Sequence, residues 1–295
     1  MKLFLKNIIL FLFLLISFFM ISKIILPNRE KNYNSAFVDK LKILQLNKNN
    51  KKILLIGGSG IGWGISAELI ERETGVKTIN LGHHAGFGLI DYQSFIISNI
   101  NKDDIIIFSP EWIFYNNPTF YDKAILLDLI RYNQEYRVLL NKNNYNFSAF
   151  FTKIELKIPK KDATSPYKYE CFNKNGDIIS HCGLNPGNVR PYEISEEVKI
   201  DSFNIYFKFL STNRTFFLFP PTQLSVYREN SKILNRIEFL LRNKKYNIVD
   251  DVENNVYPDD MFFDAEYHLK CDFKDQRTRK VIDYLKQNIL NKKVK

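Results

Sequence analysis

Three residues of this chain belong to the types that together carry out nucleophilic catalysis: Ser59, Asp264 and His268. A serine hydroxyl needs a base to take its proton, and a histidine base needs a carboxylate to fix its tautomer and stabilise the imidazolium. Asp264 and His268 stand four residues apart in Phe262-Phe-Asp-Ala-Glu-Tyr-His-Leu269, and on an irregular loop the carboxylate reaches the far side of the ring. The chain holds only four histidines (His83, His84, His181, His268), which weights this pairing against the blander reading of His268 as a surface residue capping the last helix. Ser59 sits in Gly57-Gly-Ser-Gly60, a turn that reads equally as a phosphate or nucleotide loop, or as a tight connection. Gly82, in Asn80-Leu-Gly82, is the expected oxyanion donor, its N–H facing Ser59; otherwise it is a plain turn glycine.

These residues need a scaffold that brings distant loops to one edge. Ile53 to Ile56 is a short apolar run that fits a strand buried on both faces, and Ile65 to Thr74 then has helical spacing with Gly75 as its stop. Strands are also expected at Lys77 to Ile79, Asp103 to Phe108, Thr215 to Phe219 and Tyr246 to Val249. Helices are expected near Leu89 to Asn99, Ala124 to Leu140, Ser195 to Leu210, Tyr227 to Arg242 and Asp275 to Leu290. The alternation predicts an α/β fold: a doubly wound, mostly parallel sheet of about five strands in three layers. Residues 144–192 break the rhythm with Pro159, Pro166, Pro186 and Pro191, and are read as an insertion over the sheet edge. Ser59 follows the first strand, and Asp264 and His268 follow the last, so all three converge at the carboxyl edge.

The amino terminus is a separate object. Lys2 and Lys6 precede the apolar run Ile8 to Ser22, and Lys23 is followed by Ile24 to Leu26. Residues 1–27 are read as an uncleaved signal anchor with the remainder exported, a cleaved signal peptide being the alternative. Residues 28–50, rich in Asn and Lys, are read as a polar tether with a short helix at Ala36 to Leu46, and residues 51–295 as the catalytic domain. The net charge is +10, with no basic helix interleaved with aromatics, so nucleic acid is not an expected partner; a membrane surface or an acidic glycan is. Of the three cysteines, Cys171 and Cys182 end a hairpin-like segment and are expected to be bridged, with Cys271 free. A metal reading of His181, Cys182 and His83-His84 lacks ligand spacing, so neither metal nor cofactor is expected.

Taken together, Gly57-Gly-Ser59 with Gly64, Asn80-Leu-Gly82, and Phe263-Asp264…Tyr267-His268-Leu269 followed by Arg277-Thr278 resemble the blocks of the SGNH (GDSL-type) hydrolase superfamily over about residues 51–290. Asp104-Ile-Ile-Ile ending in Ser-Pro-Glu111, and Phe172-Asn…Gly176-Asp177…His181, fit the same pattern. The closest likeness is to the membrane-anchored branch found with bacterial surface-polysaccharide genes, akin to the D-alanyl-transfer proteins of teichoic acids. The chain departs from the pattern at Gly58, where the family has aspartate, and at Ser109-Pro110-Glu111-Trp112, where it has Gly-x-Asn-Asp. Its Asp-to-His spacing is also one residue longer. The resemblance implies an exported, single-pass protein of the bacterial cytoplasmic membrane: a serine esterase or O-acyltransferase acting on a cell-surface polysaccharide. In it Ser59 attacks, His268 shuttles the proton, Asp264 orients the ring, and the N–H groups of Ser59 and Gly82 hold the oxyanion. A second reading is a non-catalytic subunit that presents glycan to a membrane-bound O-acyltransferase. A third, a nucleotide-binding domain, needs an acidic residue after the second strand, where His83-His84 stands.

Overall fold

A computed structural model of the chain describes residues 2–25, 32–90, 93–122, 125, 126, 129, 165–189, 192–211 and 214–290. Five strands form one parallel sheet: β1 (Lys52–Gly57), β2 (Lys77–Asn80), β3 (Ile105–Ser109), β4 (Thr215–Phe217) and, after the short β5 (Thr222–Gln223), β6 (Asn247–Ile248). The order across the sheet is β2-β1-β3-β4-β6, and β5 pairs separately with β7 (Val256–Tyr257). The order reverses between β1 and β3, and in an open α/β sheet the crevice outside the carboxyl ends of such a pair receives ligands.

Both faces of the sheet are covered at its centre, which is why β1 and β3 carry unbroken apolar runs. Side chains alternate, so Leu54, Ile56, Ile106 and Phe108 enter one core while Ile53, Leu55, Ile105 and Ile107 enter the other. The first core is closed by α2 (Ala36–Leu46) and α7 (Leu224–Asn243), through Phe37, Leu41 and Leu44, and through Leu234, Ile237 and Leu241. The second is closed by α4 (Ala67–Thr74) and α8 (Cys271–Leu285), through Leu69, Ile70, Val281 and Leu285. The connections include the one-turn α3 (Ser59–Gly62) after β1, α5 (Gln93–Ser98) after β2, and α6 (Trp112–Asn116) after β3.

Several expectations change. Residues 32–46 are not tether: Phe37, Val38, Leu41 and Leu44 are fully buried, so α2 belongs to the domain. The helix expected over Ser195 to Leu210 is broken into short turns, Ile200–Ser202, Phe203–Tyr206 and Lys208–Ser211. Of the helix expected over 124–140 only residues 125, 126 and 129 are described, and these are helical; the part of the insertion from 144 to 164 lies outside the described residues. The expected disulfide is also corrected: Cys182 is bonded to Cys271, and Cys171 is a free, buried thiol. Cys171 points inward among Trp63, Tyr33 and Phe263, away from its hairpin partner, while the loop after it turns Cys182 toward the start of α8.

The first helix, α1 (Lys2–Ile25), exposes apolar side chains from Phe4 to Phe19 on every side. Among the described residues no helix is long and apolar enough to cross a membrane.

Candidate functional site

Ser59 is the first residue of α3, at the carboxyl end of β1, and is half-buried. Gly62 and Gly82 pack backbone to backbone just beyond it; a Cβ on Gly82 would lie 2.4 Å from the Gly62 nitrogen. Asn80 locks this junction. Its amide donates to the carbonyls of Ile61 and Ile65, at 3.2 Å each, and to Asp177 Oδ1 at 3.0 Å, while its Oδ1 accepts the Gly82 N–H at 2.9 Å. Lys40 Nζ donates to the Gly82 carbonyl. Gly82 is therefore consumed by the scaffold and does not line the cleft beside Ser59, which corrects its expected role as oxyanion donor.

Asp264 and His268 are brought together by a closed loop. Phe262 and Leu269 form an antiparallel bridge, and the Phe263 N–H donates to the His268 carbonyl at 2.7 Å. The four-residue spacing then sets Asp264 Oδ1 2.7 Å from His268 Nδ1. The carboxylate's other oxygen accepts the Tyr167 hydroxyl at 2.8 Å. Burial by itself would raise the Asp264 carboxyl, but the His268 ring and the Tyr167 hydroxyl outweigh it and hold the group below its ordinary value. With Nδ1–H given to Asp264, the neutral ring keeps its lone pair on Nε2. The indole of Trp63 lies flat on the ring, centroids 4.1 Å apart and planes 2° from parallel, and is fixed in turn by its own N–H to the Tyr33 hydroxyl at 3.1 Å. One face of the imidazole is thus packed and one edge bonded, so its orientation is fixed before any substrate arrives.

Ser59 and His268 line one cleft of about 880 Å³, together with Tyr33, Tyr167, Trp112, Tyr192 and Tyr267. The Ser59 hydroxyl has no hydrogen-bond partner among the described residues. The cleft's charged groups are Glu111, Asp122, Glu193 and Glu266, with no lysine or arginine among the described residues that line it. A chain of net charge +10 therefore places carboxylates at its candidate site.

The remaining sequence candidates divide between support and site. His83 is buried against Tyr33, whose carbonyl meets its Nε2 at 2.8 Å, and His84 lines the cleft with Nδ1 accepting the Gly86 N–H. His181 packs against Trp63, and burial, with Lys274 and His268 nearby, pushes its pKa down to about 4. One ligand atom each from His181, Cys182 and Cys271 falls within 4.8 Å of the others, but the two sulfurs are bonded to each other and offer no thiolate pair. Arg277 and Thr278 brace the turn rather than enter the cleft: Arg277 donates to the carbonyls of Gly60 and Phe219, and Thr278 Oγ1 accepts the Ser66 N–H.

Tyr167 and the partnership of Trp63 with His268 were missed from the sequence. Tyr167 lies 97 residues from Asp264, and no local pattern marks it. Trp63, between Gly62 and Gly64 and four residues after the candidate nucleophile, was the readable signal. Set beside models of known protein families, curated proteins and solved structures, the chain matches none of them.

Proposed function

We propose that this protein is a serine esterase or O-acyltransferase of the SGNH type, acting on acyl esters of a cell-surface polysaccharide. The observation that carries the reading is the Asp264–His268 pair, 2.7 Å apart and lining the same cleft as Ser59. His268 Nε2 takes the Ser59 proton as Oγ attacks the ester carbonyl, and returns it to the departing alcohol. Asp264 and Trp63 hold the ring in the tautomer and plane this needs. The Ser59 N–H is the oxyanion donor; Gly82 is not. The aromatic walls suit the apolar faces of sugar rings, and the carboxylates of Asp122, Glu193 and Glu266 favour a neutral or cationic substrate over an anionic polymer. The exposed apolar surface of α1 supports attachment to a membrane.

The test is labelling by a serine-directed fluorophosphonate. Labelling should map to Ser59, disappear in Ser59→Ala, and fall nearly as far in His268→Ala, because such residues act as a unit. Labelling that persists in a folded Ser59→Ala sinks the reading. One observation favours the alternative of a glycan-presenting subunit for a membrane-bound acyltransferase: the N–H of Gly82 is already taken, which leaves a weaker oxyanion site. A folded Ser59→Ala that leaves surface acylation unchanged in cells, while deletion of the protein abolishes it, would establish that alternative.

A further inference from the structure

The turn that presents Ser59 is held by a side chain from the neighbouring strand. Gly57 of β1 is in register with Ser109 of β3, and Pro110 then directs Glu111 back over the nucleophile turn. Glu111 is fully buried. Its two oxygens accept the N–H groups on either side of Ser59, Gly58 at 3.1 Å and Gly60 at 3.0 Å. From the other direction Arg277 Nη1 donates to the Gly60 carbonyl at 2.9 Å. The turn is thus gripped through its amides by a carboxylate and through its carbonyl by a guanidinium. Position 58 cannot carry a side chain in this arrangement, since a Cβ there would lie 2.2 Å from Glu111 Oε1.

We propose that Glu111 is a positioning residue for the nucleophile, its carboxylate fixing both amides that flank Ser59 so that the serine's own N–H and hydroxyl are left to the substrate. The inference rests on the serine-ester reading and goes beyond it by naming the group that holds the serine in place. A buried carboxylate persists where its lone pairs are met by donors, as these are. The groups facing it are Arg277 on α8, Tyr115 on α6, and Tyr192 and Tyr267 in the loops across the cleft. Burial pushes the carboxyl up to about 7, against the pull of the Gly60 and Gly58 amides and Arg277. Protonation turns one acceptor oxygen into a donor, so one of the two amides loses its anchor as the pH falls through this range.

The experiment compares wild type, Glu111→Gln and Glu111→Asp as full-length protein, by the rate of fluorophosphonate labelling over about pH 5 to 9 and by amide exchange of Gly58 and Gly60. Glu111→Gln sets an NH2 against one backbone N–H, and its labelling should slow roughly 100-fold, as for a misplaced reacting group. On the acid side, the slope of log rate against pH should be steeper by one in wild type, where Glu111 must be deprotonated, than in Glu111→Gln, which has no such group to titrate. Glu111→Asp keeps the charge, so it should label slowly yet retain the steeper slope, and it stands in if Glu111→Gln does not fold. A part played only in stability would shift the unfolding midpoint and leave the slope alone. Wild-type rate or an unchanged slope in Glu111→Gln overturns the proposal. If wild type itself is not labelled, the serine reading fails, and amide exchange decides separately: unchanged exchange at Gly58 and Gly60 in the variants overturns the role of Glu111.

Discussion

Replacing Asp177 by asparagine removes one charge from the hairpin that braces the site, and the structure sets the size of the effect. Asp177 Oδ1 accepts the Ala67 N–H at 2.7 Å, and Oδ2 accepts the Glu68 N–H at 2.9 Å, so the carboxylate caps the first turn of α4 from 110 residues away. It also receives the Asn80 amide, whose own oxygen holds Gly82. An asparagine keeps one acceptor and turns the other into a donor facing a donor. A hydrogen bond to a charged group contributes about 1.5–3 kcal/mol, and a negative charge at a helix N-terminus adds about 0.3–1 kcal/mol. One lost bond together with the lost charge gives about 3 kcal/mol. At a urea slope of about 3 kcal/mol per molar, the unfolding midpoint should fall by about 1 M, with the slope unchanged. Circular dichroism along a urea series reads this directly. A shift below about 0.3 M would mean that water replaces the carboxylate at the helix end, and that the hairpin does not brace α4.

Non-reducing peptide mapping should recover Cys182 linked to Cys271 with Cys171 free; a Cys171–Cys182 peptide would refute the pairing. Because that bridge closes a loop across a sequence separation of 89, Cys182→Ser should cost about 2–4 kcal/mol in the same urea assay. Lys52 and Asp104 form a buried ion pair at 2.7 Å, so Asp104→Ala strands a buried cation and should cost about 3–5 kcal/mol. The double variant Lys52→Met/Asp104→Leu should recover part of that loss, and no recovery would contradict this account. Glu111 is raised from 4.5 to about 7 in the folded protein. A raised carboxyl contributes stability that is fully present below its unfolded value and lost as the pH rises through its folded one. Relative to Glu111→Gln, wild type should therefore lose about 3 kcal/mol between about pH 4 and 8, at about 1.36 kcal/mol per pH unit of separation. Parallel stability curves for the two proteins would be the refuting result.

The sheet was legible because burial on both faces writes itself into sequence: the run Ile53 to Ile56 cannot alternate when each of its sides meets a core. The Asp264–His268 pair was legible because a short loop makes it, and Gly75 because a helix stop has a local signature. The helix α2 was legible but its burial was missed, because the Asn- and Lys-rich residues around Phe37, Leu41 and Leu44 read as a tether. The hidden part lies in contacts that span the chain. Glu111 reaches Gly58 across 53 residues, and Asn80 closes off Gly82 through a side chain that reads as an ordinary turn residue. Position 58 looked like a loss because the sequence shows which residue is missing and not that a carboxylate arrives there from another strand. The strands of two residues, β5 and β7, are too short to leave a period.

Asn32, Tyr33 and Asn34 form part of the cleft wall, and α1 ends at Ile25. Seven peptide units separate Ile25 from Asn32, and even fully extended these span about 25 Å. Whatever surface captures α1 therefore keeps the mouth of the cleft within about that distance of it. Encounters with molecules held on that same surface become a search in two dimensions, at local concentrations in roughly the millimolar range. Inserting glycine and serine residues between Ile25 and Asn32 would dilute those encounters and leave untouched any encounter with a freely diffusing molecule.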